Sequence, residues 1–373
     1  MTKKIGVLTS GSDCPGLNAA IRAIGKSAQG TYGMQIVGFQ DGFQGLIEDR
    51  TVSLGGGALS GILTSGGTIL GTSRDQVEEE KPDGKVIDMT VKAIKTYKKH
   101  KLDALVCIGG KTTQESALQL KKSGLNIVTL PKSINNDVNK TELTIGFDTA
   151  LEVAGQSIDR LHSTAYSHHR IIIVEVMGAH NGWLTLGAGI SGGADVTLIP
   201  EIPYDISKIS EAILQRNQVG KRFSIVAVAE RIVSQEQIAF TDRLRQINAM
   251  MRPEAEQEDV NAQLQKIEKK RTDTTFQVSN QLKDFTGLET RITILGYLLR
   301  GGAPSAGDRI LATQLGTTCS VLINEDHYGV MVALQEGRFE PVPLEQVVGE
   351  HKQIPLDHPW IQSARRVGTC LGD

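Results

Sequence analysis

The sequence lacks the features that would place it in several broad classes. Its four cysteines, Cys14, Cys107, Cys319 and Cys370, show no paired spacing, which excludes a disulfide framework or a cysteine-built zinc site. No apolar run approaches the roughly 18–20 residues of a membrane span. The start, Met1-Thr2-Lys3-Lys4, leads directly into a strand-like run, with no signal-peptide core. A cytoplasmic protein with no membrane partner is therefore expected. Charge of one sign is missing too: a net charge of −2 gives no general attraction to nucleic acid, so any useful basic residues act locally. At 373 residues the chain has length for two domains, and 39% hydrophobic with 22% charged residues is the composition of a soluble globular protein.

Apolar runs alternate with stretches of helical spacing. Lys4 to Ser10, Gln35 to Phe39, Ala104 to Ile108 and Asn126 to Leu130 read as strands, with helices over Asn18 to Ala28 and Val86 to His100. The second half continues with a helix from Thr149 to about His162 and strands Ile171 to Val176, Val196 to Ile199 and Phe223 to Ala229. Helix Ile206 to Asn217, helix Asp308 to Leu315 and a late strand Val330 to Leu334 complete the pattern. Strands alternating with helices imply α/β architecture: two similar doubly wound domains with mainly parallel sheets and a cleft between them. Residues 232–288 break the rhythm and are rich in Gln, Glu and Lys. Two surface helices separated near Pro253 are expected there, either as a docking or oligomer-contact element or as a solvated excursion.

Polar or glycine-rich loops follow three of the early strands, where open α/β sheets bind their ligands. Gly11-Ser12-Asp13-Cys14-Pro15-Gly16 precedes a helix, a place where backbone N–H groups can face phosphate. Cys14 in that loop reads first as a small buried thiol. Gly109-Gly110-Lys111-Thr112-Thr113 follows the Ala104 strand. Lys132-Ser133-Ile134-Asn135-Asn136-Asp137 follows Pro131 and gathers a cation, a hydroxyl, two amides and a carboxylate. Between them, Gly66 to Arg74 combines glycines that allow close backbone approach with a guanidinium suited to phosphate. The plain alternatives are an ordinary polar loop for Lys132 to Asp137 and a solvated surface arginine for Arg74.

Thr-Ser-Gly-Ser-Asp-Cys-Pro-Gly-Leu-Asn near the start, Gly-Thr-Ser-Arg74, Pro-Lys-Ser-Ile-Asn-Asn-Asp137, Ile-Gly-Phe-Asp-Thr-Ala150, Glu-Val-Met-Gly178 and Leu-Gly-Tyr-Leu-Leu-Arg-Gly-Gly-Ala-Pro304 occur in one order. In that order the chain resembles the 6-phosphofructokinase family over nearly its whole length. The Pro131-Lys132 and Gly182-Trp183 pairs look like the branch containing pyrophosphate-using and related bacterial members. The resemblance implies residues 1–147 plus about 301–345 as the domain for the phosphoryl donor (ATP, ADP or pyrophosphate), held by Gly11, Ser12, Arg74, Gly110, Lys111, Thr112 and Thr113. Residues 148–300 plus the C-terminal segment would form the sugar-phosphate domain. It further implies that fructose 6-phosphate meets Arg170, Met177, Gly178, Glu230, Arg291 and Arg300, with Arg170 and Arg291 reaching in from a neighbouring subunit of a homotetramer. Tyr297 stands where the family usually has histidine.

The reacting end departs from the family pattern. The aspartate that draws the proton from the sugar 1-hydroxyl is here Asn135, although Ser133 and Asp137 are kept. Loss of a general base removes about 10²–10⁴-fold in rate. Lys111 stands where an aspartate helps hold Mg2+, which puts that cofactor in question. Ser12 replaces a glycine. The sequence therefore suggests a sugar-phosphate binder with impaired catalysis. Two alternatives are an active kinase in which Lys111 stabilises the transferring phosphate, and a non-catalytic subunit assembling with a related active one.

Overall fold

The computed structural model describes residues 2–80, 86–251 and 273–373. Two compact units divide the chain: Met1–Ala150 with Tyr297–Lys352, and Leu151–Gly296 with Gln353–Asp373. In chain order the described strands are β1 (Lys4–Ser10), β2 (Gln35–Phe39), β3 (Thr51–Ser53), β4 (Glu78–Glu80), β5 (Val86–Asp88), β6 (Ala104–Gly109) and β7 (Ile127–Pro131). They continue with β8 (Ile171–Val176), β9 (Val196–Leu198), β10 (Ser224–Ala229), β11 (Thr290–Ile294), β12 (Val330–Gln335) and β13 (Arg338–Pro343).

The first unit is built on a seven-stranded sheet of order β13-β12-β7-β6-β1-β2-β3, parallel from β12 to β2 and antiparallel at both edges. Strands β6 and β7 are buried at every residue, as parallel strands covered on both faces must be, and their apolar runs follow from that burial. The chain steps from β1 to β2 on one side and returns to β6 on the other, so the strand order reverses between β1 and β6. Helix Leu17–Tyr32 lies along helix Ala306–Asn324. Gly316 permits that approach, since a Cβ there would stand 2.7 Å from the Ala23 Cβ and 3.0 Å from the Ile24 nitrogen.

Three local expectations need correction. Residues 86–100 are not one helix: β5 pairs antiparallel with β4, and the helix begins at Thr90, whose N–H donates to Asp88 Oδ1 at 2.8 Å. Val86 and Met89 share helical spacing by coincidence, because the first belongs to a two-stranded ribbon. The late helix runs Ala306–Asn324, far beyond Leu315, since Leu322 and Ile323 continue its buried face past the Gly-Thr-Thr interruption. Strand β13 was not expected, and its two prolines are tolerated because it is an edge strand.

The second unit carries a smaller, all-parallel sheet of order β11-β8-β10-β9, so it repeats the first only in part. Its core gathers Ile173, Val226, Val228, Tyr204, Ile209 and Val278. The C-terminal segment docks on β9, with Thr197 N–H donating to the Cys370 carbonyl at 2.9 Å. Of the charged region, helices Gln235–Met251 and Thr274–Thr286 are described. The break expected near Pro253 and the apolar spacing at 260–267 lie outside the described residues. Among the described residues no helix is long and apolar enough to cross a membrane.

Candidate active site

Register fixes where the loops begin. Ser10 pairs with Gly109 and Gly109 with Pro131, so β1, β6 and β7 end level and the three loops that follow start side by side at the reversal in strand order.

The loop Lys132 to Asp137 is tied down from several directions. Lys132 N–H donates to the Gly109 carbonyl, Ser133 N–H to Ile145 and Ile145 N–H to Pro131, each at 3.1 Å. Asn136, at φ 54°, donates from Nδ2 to the Glu142 carbonyl at 2.9 Å. The next turn is fixed by Asp308, a fully buried carboxylate on helix Ala306–Asn324 that accepts from Gly146 N at 2.8 Å, Thr149 N at 2.9 Å and the Thr149 hydroxyl. Burial pushes this carboxyl above its ordinary range, against the pull of those donors.

The cation of the loop points inward. Lys132 is 4% exposed, and its ammonium donates to the Ser12 carbonyl and lies 3.3 Å from where a Cβ on Gly11 would stand. Burial pulls its pKa below the lysine norm, while Cys14, Asp137 and Asp13 oppose that shift. Cys14 is itself buried, donates to the Ile145 carbonyl at 3.4 Å, and is pushed up to about 12 by burial, so it is an inert thiol. Asn135 N–H donates to Ser133 Oγ at 3.1 Å, and Asn135 Oδ1 is buried without a hydrogen-bond partner. That amide oxygen can accept a hydrogen bond from a substrate hydroxyl and cannot take its proton.

Around this core stand the other expected residues. Lys111 opens helix Lys111–Lys122 directly after Gly110, with Thr112 exposed beside it. Thr113 is buried, and its unpartnered hydroxyl lies 3.9 Å from the Cβ position of Gly11. Arg74 is exposed, and the segment before it is stitched to the first loop: Gly11 N–H donates to Ser73 O at 2.8 Å and Thr72 Oγ1 to Gly11 O at 2.7 Å. Gly66 meets the chain after Arg300, a Cβ there falling 2.2 Å from the Gly302 carbonyl. Arg300 sits 5.0 Å from the ring centre of the exposed Tyr297, its Nε buried without a partner. Sequence reasoning missed Asn18. This buried residue donates to Ser65 O and Gly66 O at 3.2 and 3.1 Å and accepts from Ile69 N at 2.7 Å, holding the 66–74 loop in place. Its one signal was its position directly behind the first loop.

In the second unit the expected residues form two groups. Val176 pairs with Ala229, so Met177, Gly178 and Glu230 follow level strand ends, and Gly178 N–H donates to Glu230 Oε2 at 3.5 Å. Glu175 beside them is raised by burial, with the Thr275 hydroxyl opposing and Glu230 adding to the shift. Arg170 and Arg291 stand at the amino ends of β8 and β11, where Ile171 pairs with Thr290. Both donate to Glu289: Arg170 Nε at 2.6 Å to one carboxylate oxygen, Arg291 to the other. These hydrogen bonds hold the Glu289 carboxyl below its usual range. Strand β8 is six residues long, and at about 3.3 Å per residue roughly 20 Å of strand separates the two groups. One chain does not bring them together.

Level loops bearing lysines and hydroxyls at a strand-order reversal in the first unit, with paired arginines in the second, define an α/β protein whose loops suit phosphorylated ligands. The family model for phosphofructokinase matches residues 4–323. The chain is 51% identical to the ATP-dependent 6-phosphofructokinase of Propionibacterium freudenreichii subsp. shermanii, covering 100% of both chains. It is 46% identical to that of Spirochaeta thermophila, covering 100% of this chain and 98% of the other. Phosphofructokinase from Pichia pastoris in the T-state is similar in structure, with a TM-score of 0.76 and 31% identity. That match covers 93% of this chain and 35% of the Pichia chain, so this chain spans about a third of that protein's length. The chain belongs to the phosphofructokinase family.

Phosphofructokinases generally use Mg2+ with ATP. The first-unit loops offer Asp13 and Asp137, and both act on the buried Lys132 ammonium. With Lys111 at the neighbouring helix start, this donor set does not fit a magnesium ion held by protein carboxylates.

Proposed function

We propose that the protein binds fructose 6-phosphate and transfers phosphate to its 1-hydroxyl poorly or not at all. The observation that carries this reading is Asn135, whose buried, unpartnered amide oxygen fits a hydroxyl donor and provides no base for its proton. The donor, ATP or pyrophosphate, would bind the first unit at Gly11, Ser12, Lys111 and Thr113. There the buried Lys132 side chain donates to the Ser12 carbonyl, beside the backbone that would face the phosphate. The sugar would bind at Met177, Gly178 and Glu230. The 6-phosphate would be held by Arg300 together with Arg170 and Arg291 of a neighbouring copy. Support for a homotetramer of this kind is the placement of Arg170 and Arg291 at the strand ends opposite Gly178 and Glu230. Such an assembly would act in the cytoplasm.

A second reading is an active kinase in which Lys111 stabilises the transferring phosphate, and the place of Lys111 at a helix start without acidic residues in its first turn favours it. A structural subunit that only lends Arg170 and Arg291 to a neighbour would leave its own loops without ligand. Isothermal calorimetry with fructose 6-phosphate separates the two ligand-binding readings from the subunit without ligand, and turnover separates those two from each other. Binding in the micromolar to millimolar range supports the proposal, and no heat with an intact fold at millimolar sugar phosphate removes it.

A further inference from the structure

Behind the Lys132 to Asp137 loop lies a cavity of about 500 Å³ between the Asn139–Glu142 turn, the β12–β13 hairpin and Lys352. Lys352 reaches into the same backbone that anchors the loop. Its Nζ donates to the Glu142 carbonyl at 2.6 Å, the carbonyl that also accepts from Asn136 Nδ2 at 2.9 Å, and its N–H donates to the Asp137 carbonyl at 3.3 Å. Two exposed cations, Lys140 and Arg338, line the cavity. Of the acids, Glu142 is engaged through Oε1 with the Glu336 N–H at 2.6 Å, while Glu336 and Glu340 have exposed side chains on the hairpin.

We propose that Lys352 is an acylation site for small acyl phosphates, whose phosphoryl group docks on Lys140 and Arg338. Burial supplies the reactivity, pulling the Lys352 amine down to about 8 against the opposing charges of Glu142 and Asp137. At pH 7.5 about a quarter of such an amine is unprotonated, against roughly one part in a thousand for an ordinary lysine. In the reaction the neutral amine attacks the acyl carbon, the bond from that carbon to the bridging oxygen breaks, inorganic phosphate leaves with the electron pair, and the nitrogen gives one proton to water. The product is a neutral amide, so the Glu142 carbonyl loses its charged ammonium donor, and the one remaining N–H on that nitrogen can offer it only a weaker, uncharged hydrogen bond. Acylation thereby loosens one of the ties on the central loop.

The test is peptide mass spectrometry of the full-length protein treated with acetyl phosphate. At pH 7.5 Lys352 should be acetylated about tenfold faster than the exposed Lys98 and Lys122, the advantage of its larger unprotonated fraction being offset in part by its lower basicity and its shielding. Its rate should level off above about pH 9, whereas that of an ordinary lysine side chain keeps rising toward pH 10.5. Arg338→Gln, on the exposed hairpin, should slow Lys352 acetylation by acetyl phosphate severalfold and leave its reaction with uncharged acetic anhydride unchanged. Labelling of Lys352 no faster than Lys98 and Lys122 overturns the proposal. So does a preference that persists in urea, or an Arg338→Gln effect that is absent or equal for both reagents.

Discussion

Asp308→Asn is the perturbation that reaches furthest through the site from a single buried group. The carboxylate accepts three hydrogen bonds, at 2.8 Å from Gly146 N, at 2.9 Å from Thr149 N and from the Thr149 hydroxyl. An asparagine of the same shape has one acceptor oxygen. Its best orientation keeps that oxygen on Thr149 and turns its NH2 toward the Gly146 N–H, leaving a buried donor facing a donor. Losing one charge-assisted bond costs about 1.5–3 kcal/mol, and weakening the other two adds about 1 kcal/mol. Relief from burying a charge offsets part of this, since burial already pushes the Asp308 carboxyl upward. The net is about 1.5–3 kcal/mol, which a thermal melt should read as a fall of roughly 3–12 °C. The damage should also reach the ligand. Gly146 follows Ile145, whose N–H and carbonyl hold Pro131 and Ser133, so weaker sugar-phosphate binding should accompany the lower Tm. A variant within about 0.5 kcal/mol of the parent would refute the idea that this carboxylate fixes the turn behind the central loop.

Asn135→Asp alone should restore little activity, because the new carboxylate shares its loop with the Lys132 ammonium, and the helix that follows the neighbouring strand end opens with a second cation, Lys111. Adding Lys111→Gly should raise turnover far more than the two single effects combined, and simple additivity in a double-mutant cycle would count against the pair acting as a unit. Lys352 sets a pH dependence. Its folded value of about 8 lies below the ordinary 10.5, so the unfolded chain binds more protons between those values and stability rises with pH across that window. The gain is at most about 3 kcal/mol, urea unfolding at pH 7.5 and 10.5 should detect it, and Lys352→Met should abolish it; a gain that survives the substitution assigns it to other groups. Glu289→Gln should leave stability nearly unchanged, because its ion pairs are largely exposed, yet tighten fructose 6-phosphate severalfold by releasing Arg170 and Arg291. Unchanged affinity would mean the carboxylate does not compete with the sugar phosphate.

Much of both parallel sheets was legible because a strand covered on both faces reads as a mainly apolar run. Lys4–Ser10, Gln35–Phe39 and Ile171–Val176 are such runs bounded by glycine or polar residues, and their limits were read correctly. The ribbon at Val86–Asp88 was not legible, since three residues carry no distinguishable period. Asp308 could not be recognised either. Its partners lie 162 and 159 positions away, and nothing local distinguishes it from any acidic residue near a helix start. The motif residues were found by their pattern, but their grouping required register. Only the Val176–Ala229 and Ile171–Thr290 pairs reveal that Glu230 and Arg170 stand at opposite ends of one sheet.

The central claim is that a family binding site survives without its proton acceptor. Steady-state turnover of the purified protein with fructose 6-phosphate, run in parallel against ATP and pyrophosphate with Mg2+ present, tests it directly. Kinases commonly turn over at about 1–100 s⁻¹, and loss of the base should place this protein at least about 10²-fold below that range with either donor. Turnover inside the ordinary range with either donor would contradict the account.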